Sequence, residues 1–552
     1  MSRFKKLLGL LGCVVILGVI GYFIVPSILT NHINGMIPGV KVKSARLKSP
    51  DCITLKGITI DKDNIKGNIT SAIACRSAKT IVADGGGIAL TLKSGSPSND
   101  TRMDKYRIIG TNLSLKVQKD DAVLQLEKAG IDGPVVFAPS GTVTVPYGTV
   151  NVKNININRT SREVTIERAR TLKEGIGEIL VSNLHASSNE IYANEVSIKR
   201  DKDSYVGATD VTLSILQHGF VEIKAKKAFA FHPMLYSEHL SVEDVLIAPF
   251  PLSEYKTTDY IVGIRGVTLQ FNLEKRSVSG HASCQEWLQA LPQELKTPPI
   301  EQVKFKGDMN FSLELLPDVK FRLRNGCVVD GGAPDFIKAL GGTFKYTAYH
   351  PNSNGKFERV SGPGSPDWVP FNSVSDNMVK ALTTTEDPGF FGHRGIIPQA
   401  IENSIKDNLK LGKFFRGGST ITMQLAKNLW LTRKRTFGRK IQEAVLTAVL
   451  ESTLPKEKIL ELYLNIVEFG PDIYGIGPGS EKLLGTHPIN ISLSQALYLV
   501  LRLPAPSRAG TYEQMKGNIG KMLDLMASNG KLSAEEAGYE KAFLFEDFNE
   551  EQ

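Results

Sequence analysis

The stretch Arg416-Gly-Gly-Ser-Thr-Ile-Thr-Met-Gln-Leu-Ala-Lys-Asn428 decides how this chain is read. Its Gly-Gly pair followed by Ser419 and Thr420 has the form of a helix start, a hydroxyl N-cap ahead of free backbone N–H groups. Such a start attracts anions, phosphates above all. Upstream stands Glu386-Asp-Pro-Gly-Phe-Phe-Gly-His393-Arg-Gly395, with an acidic pair at its head. Acid on one segment and a phosphate-type cradle on the next point to chemistry at a phosphate-activated centre. Downstream, residues 437–454 carry Ile441, Ala444, Val445, Ala448 and Val449 at the spacing of a buried helical face, and Pro455 suits the first position of the next helix. Arg439 and Glu443 fall four apart on one face with Lys440 beside them. Taken alone, that trio is a surface ion pair worth well under ~1 kcal/mol.

Together these segments resemble the peptidoglycan glycosyltransferases (glycosyltransferase family 51), the transglycosylase domain of penicillin-binding proteins. The first two motifs are those quoted. Arg439-Lys-Ile-Gln-Glu443 resembles the third, and Lys458-Ile-Leu-Glu-Leu-Tyr-Leu-Asn465 the fourth. Gly475-Ile-Gly477 with Leu503-Pro-Ala-Pro-Ser-Arg508 sits where the fifth and its tail belong, and Trp368-Val-Pro-Phe371 resembles the lead-in. The resemblance covers about residues 345–540. It implies a mainly α, lysozyme-like domain that polymerises lipid II into β-1,4 glycan strands with inversion. By the same resemblance Glu386 is the general base, and Glu443 a second catalytic acid near the donor pyrophosphate. Asp387, Phe390, His393, Arg416, Ser419, Thr420, Gln424, Lys427, Asn428, Arg439 and Lys440 are the substrate-binding candidates, with Asp387 and His393 orienting Glu386. No cofactor is required, and a divalent cation, Mg or Mn, is a candidate bridge at the pyrophosphate.

The chain departs from the family pattern at Met423, where Gln is usual, and at Pro478, Ser480 and Leu483-Leu484 in the fifth motif. About forty residues follow Arg508, and SxxK, SxN and KTG look-alikes occur in the wrong order, so a polymerase without a transpeptidase is expected. Competing readings are a lysozyme-like lytic transglycosylase, which needs no phosphate cradle, and a non-enzymatic envelope scaffold or lipid-handling protein.

A chain of 552 residues calls for several domains. Arg3, Lys5 and Lys6 precede the uncharged residues 7–29, long enough to span a bilayer. Positive charge ahead of the span keeps the N-terminus cytoplasmic. The expected organisation is therefore a transmembrane anchor (1–29), a β-rich extracytoplasmic domain (30–344), the glycosyltransferase domain (345–540) and an acidic tail (541–552). The expected location is the bacterial inner membrane, single-pass, with the bulk of the chain periplasmic. A net charge of +9 does not suggest nucleic acid. Residues 401–460 hold twelve basic against five acidic side chains, an excess suited to pyrophosphate and anionic lipid.

In the β-rich region Val143/Val145, Val150/Val152 and Ile155/Ile157 alternate with polar residues. A loose unit recurs at 152–157, 193–198, 208–213 and 242–247 without a fixed period. The pattern is similar to the elongated sheets of AsmA-like envelope proteins. A spacer, a docking site for cell-wall synthesis proteins and a lipid-shielding groove all stay open as its role, with residues 40–338 folding separately and positioning the catalytic lobe. Residues 284–291 form one short helix stopped by Pro292. Outside the span, four cysteines allow three connectivities. Near-neighbour pairing, Cys52–Cys75 and Cys284–Cys327, is the first expectation, and unpaired thiols the alternative.

Overall fold

The strands of the N-terminal region share one apolar rhythm. In Cys52–Lys62 it is Ile53, Leu55, Ile58 and Ile60, all at most 2% exposed. A strict period of two would turn the second pair to the other face. Gly57 lies between the pairs with φ +60° and inserts the odd step that returns them to the same side. Asn154, Asp210 and Asp244 repeat this at φ 49°, 50° and 54°, each the third residue of a recurring unit seen in the sequence. Asn and Asp tolerate the left-handed region better than other side chains, which is why these three copies carry them there, whereas the copy at 193–198 has Glu195 without a positive φ.

The computed structural model describes residues 30, 34–35, 38–62, 64–75, 77–92, 107–216, 221–249, 258–350, 355–411 and 418–546. The expected anchor, residues 7–29, lies outside them. Among the described residues no helix is long and apolar enough to cross a membrane.

Two compact units divide the chain. Among the described residues the first holds thirteen strands of 10 to 13 residues, from β1 (Val40–Ser49) to β13 (Val221–Phe231), together with Glu243–Pro249. Each pairs antiparallel with the next, except that β4 (Thr80–Leu92) and β5 (Arg107–Lys119) run parallel. Cys52 and Cys75 face each other across β2 (Cys52–Lys62) and β3 (Ile65–Cys75) and are disulfide-bonded.

The second unit comprises His232–Val242 and everything from Phe250 onward. The boundary expected at 344/345 therefore falls inside it. The physical reason is a shared core. Leu288, Ile300, Val303, Phe305, Ile337 and Leu340 are buried in the same apolar cluster as Leu382, Leu425, Leu446 and Leu460 of the helices. Polar ties run between the same parts: Glu402 accepts from Phe321 N–H at 2.9 Å, and Val329 N–H donates to Ser452 Oγ at 3.3 Å. Strands Asp259–Ile264, Val267–Asn272, Ser277–Ser283, Asp308–Glu314 and Lys320–Asn325 form an antiparallel meander. Helix α1 (Cys284–Ala290) follows the third of them, with a Ser283/Glu286 capping box, and Cys284 is bonded to Cys327.

Beyond residue 375 the unit is helical. Helices α2 (Asp376–Glu386), α3 (Pro398–Leu411), α4 (Ile421–Trp430), α5 (Phe437–Thr453) and α6 (Lys456–Ile466) surround the site. Helices α7 (Ile476–Leu484), α8 (Leu493–Arg502), α9 (Tyr512–Ser528) and α10 (Ala534–Glu546) complete the described lobe. Pro455 is the N-cap of α6 rather than its first residue. Helix α10 runs through the expected tail boundary at 541, with Leu544 1% exposed; residues 547–552 lie outside the described ones.

Helix α5 differs from the expected pattern. Of the expected face Val449 is fully buried, but Ile441, Ala444, Val445 and Ala448 are only half-buried, whereas Arg439, Gln442, Glu443 and Leu446 are buried. Arg439 and Glu443 occupy the inward face of the first turns, where it borders the site, and Leu446, Val449 and Leu450 continue it into the core. In α7 Pro478 lies in the first turn, where the missing N–H costs little, and Ser480 Oγ donates to Gly477 O at 3.0 Å. The unusual fifth motif thus forms a regular helix.

Ile300 is fully buried where Pro298–Glu301 meets the lobe. Ile300→Ala should cost about 2–5 kcal/mol and speed amide exchange in α5. Unchanged exchange there would mean that residues 258–344 fold independently of the lobe.

Candidate active site

Glu386 is the last residue of α2, and Asp387 is its C-cap. Asp387 is 1% exposed and uses both carboxylate oxygens. Oδ1 pairs with His393 Nε2 at 2.7 Å, and Oδ2 accepts the N–H of Ile421, the first residue of α4, at 3.1 Å. Gly395 N–H donates to His393 Nδ1 at 2.9 Å, which places the imidazole proton on Nε2, facing Asp387. Thr420 closes the ring of contacts: its hydroxyl donates to Gly395 O at 2.6 Å and accepts from Met423 N–H at 3.2 Å as the N-cap of α4. Gly395 has φ +80°, and a Cβ there would stand 2.3 Å from Thr447 Cγ2. Asp387, His393 and Thr420 are therefore spent on one another. They fix the loop after Glu386 against the start of α4, and the Thr420 hydroxyl is not offered to a ligand.

Glu386 itself is half-buried. Its Oε2 accepts from Gln424 Nε2 at 2.8 Å, and Gln424 Oε1 accepts from the Tyr463 hydroxyl at 2.9 Å. Tyr463 is fully buried on α6, and burial first, then the Glu386 charge, pushes its phenol well above its ordinary range. It stays a proton donor, so the Gln424 amide is held with its NH₂ toward Glu386.

Beside this pair opens a cleft of about 830 Å³. Gln424, Lys427 and Asn428 of α4 line it, with Arg433 and Arg435 of the α4–α5 link, Arg439 of α5, Val467, Glu468, and the segment 503–508. Five cations (Lys427, Arg433, Arg435, Arg439, Arg508) thus face one carboxylate. That carboxylate, Glu468, is bonded to Arg433 at 2.8 Å, and the Arg433 guanidinium lies 4.5 Å from the centroid of the Tyr349 ring. Burial, then Arg439 and Arg433, lower Lys427 to about 8. Burial, then Arg439 and Lys427, lower Lys440 to about 8. Like charges gathered this closely are relieved by a polyanion.

The third-motif trio is not a surface pair. Glu443 is 1% exposed; Arg439 pairs with its Oε1, and Lys440 Nζ reaches Oε2 at 2.5 Å and Ser419 Oγ at 2.6 Å. Its carboxylate is committed to two cations beneath the cleft. A divalent ion there would meet two positive groups, so these residues do not fit one.

Phe390 is 1% exposed in the core, with the Lys456 ammonium 4.3 Å from its ring centroid, and it does not line the cleft. Arg416 lies outside the described residues, as do Phe414 and Phe415. Arg433, Arg435, Glu468 and Tyr463 belong to the site although the sequence assigns them no role. The charge excess at 401–460 contains both arginines, but charge counting could not separate them from solvated neighbours such as Lys434.

A family model described as Transglycosylase matches residues 354–527. A biosynthetic peptidoglycan transglycosylase of Herminiimonas arsenicoxydans is 40% identical over 161 residues, 29% of this chain and 68% of the relative. Its counterpart in Alcanivorax borkumensis is 38% identical over 30% of this chain and 69% of the relative. Penicillin-binding protein 1A of Aquifex aeolicus is 37% identical over 32% of this chain and 24% of its own length. The chain belongs to the peptidoglycan transglycosylase family and is a glycosyltransferase.

Glu443→Gln should lower the stability of the lobe by about 3–5 kcal/mol, because it leaves the nearly buried Arg439 without its partner. Thermal melting checks this. Unchanged stability together with lost activity would instead place Glu443 directly on the substrate.

Proposed function

We propose that the protein polymerises lipid II, a disaccharide carried on a lipid pyrophosphate, into β-1,4 glycan strands with inversion. The observation that carries this reading is the five-cation cleft next to Glu386, a carboxylate held by a neutral amide. Glu386 takes the proton from the 4-hydroxyl of the acceptor sugar through Oε1, the oxygen that Gln424 leaves free. The hydroxyl attacks the anomeric carbon of the growing chain, and the pyrophosphate leaves with the bond electrons. Lys427, Arg435 and Arg439 stabilise the charge that develops on it. Lys440, held by Ser419 and Glu443, adds to the same field. Residues 7–29 anchor the protein in the inner membrane with the bulk of the chain in the periplasm, so that substrate is delivered from the bilayer.

Glu386→Gln keeps size and shape and removes the base. Polymerisation of lipid II should fall at least ~100-fold with an unchanged melting temperature; near-normal glycan synthesis would remove Glu386 from this role.

The lysines set a pH dependence. With both lowered to about 8, they carry charge below that pH and lose it above. The value of kcat/KM, which reports the free enzyme, should therefore decline as pH rises through about 8. The kcat limb should lie higher, because bound pyrophosphate favours the charged amines. Lys440→Arg, which keeps its charge, should weaken the alkaline decline. A flat kcat/KM from pH 7 to 10 would exclude these lysines from donor binding.

A further inference from the structure

Helix α5 carries Arg439, Lys440 and Glu443, and its first N–H groups have no partner within the helix. They are not left for an anion. Phe437 N–H donates to Met234 O at 2.9 Å, and Gly438 N–H to Leu235 O at 2.7 Å. Arg439 N–H is capped by Thr436 Oγ1 at 3.3 Å. The two carbonyls belong to the connection between β13 and β14 (Leu240–Pro249), some 200 residues earlier in the chain. That turn is braced from within: Leu235 and Tyr236 N–H donate to His232 O at 2.8 and 3.2 Å, and Met234 N–H to His232 Nδ1 at 3.1 Å. One helical turn on, Gln442 Nε2 donates to Leu295 O at 3.1 Å and approaches the Tyr236 hydroxyl at 3.4 Å.

Gly438 shows how close the seat is. A Cβ there would stand 2.7 Å from Tyr236 Cδ2 and 2.8 Å from Leu295 Cδ2. Glycine at an early helix position is otherwise unfavourable. Here it admits the Tyr236 ring against the helix backbone.

We propose that the turn 232–236, together with Leu295, is a positioning element of glycosyl transfer that fixes the axial position and rotation of α5. Arg439 follows Gly438 directly, and Lys440 and Glu443 complete the next turn, so a shift of this helix end moves the cation of the cleft and the pair beneath it together. Binding geometry of this kind is sensitive: a misplacement of about 1 Å can cost roughly 100-fold in rate. The inference rests on the cleft being the pyrophosphate site, and it gives residues far from every motif a part in the reaction.

The test uses the full chain in detergent with lipid II as substrate, alongside amide exchange at Phe437 and Gly438. Tyr236→Ala and Gly438→Ala should each lower kcat/KM at least roughly tenfold and speed exchange at both amides. The second change raises helix propensity, so its loss of activity could not come from a weaker helix. Tyr236→Phe keeps the ring, loses only the 3.4 Å contact, and should stay near wild type. Wild-type kcat/KM and unaltered protection in Tyr236→Ala and Gly438→Ala would overturn the proposal. A wild-type protein that polymerised no lipid II would instead overturn the functional reading, while the exchange rates still decided whether the turn holds the helix.

Discussion

Asp387 is the constraint on which the arrangement of the site depends. Its buried carboxylate ties together the end of α2, the loop through His393 and the first N–H of α4. Glu386 precedes it in the chain, and α4 carries Gln424, Lys427 and Asn428, so one residue sets the distance between the carboxylate and the cationic cleft. Any replacement that could not accept both bonds would leave a buried donor unpaired.

Beneath the cleft, Glu443 gives a second fixed point. Two cations would not stay this close within the protein without a counter-charge, and the carboxylate supplies it from the side away from the cleft. Five cations line the cleft itself, only one of them, Arg433, bonded to the single carboxylate there. Burial first, and then the crowding of like charges, lowers both lysines, and a bound pyrophosphate would offset the second of these. The turn at 232–236 then holds the helix that carries Arg439, Lys440 and Glu443.

Much of this was legible in the sequence, for local reasons. Thr420 follows from capping chemistry, the short helix at Cys284 was marked by its stop at Pro292, and both disulfides join the nearest cysteines in the chain. The recurring β unit was visible as a pattern, but its cause, a left-handed residue at Asn154, Asp210 or Asp244 that resets the alternation, needed the backbone. What could not be read was long-range. Ile300 and Leu340 look like β-domain residues until they are seen in the helical core. Phe390 stands within one of the quoted motifs yet serves packing, and the first turns of α5 bury Arg439 and Glu443, which shifts the inward face away from the one that apolar spacing marks. Tyr463 has the appearance of an ordinary core residue; only its bond to Gln424 gives it a part in holding Glu386.

The central claim is that the cationic cleft holds the leaving pyrophosphate while Glu386 faces the attacking hydroxyl. A structure of the Glu386→Gln variant bound to lipid II tests it most directly. The pyrophosphate is expected within ion-pair reach of Lys427, Arg435 and Arg439, with the acceptor hydroxyl against the residue at 386. Pyrophosphate seated elsewhere on the lobe, with the cleft filled by solvent, would contradict it.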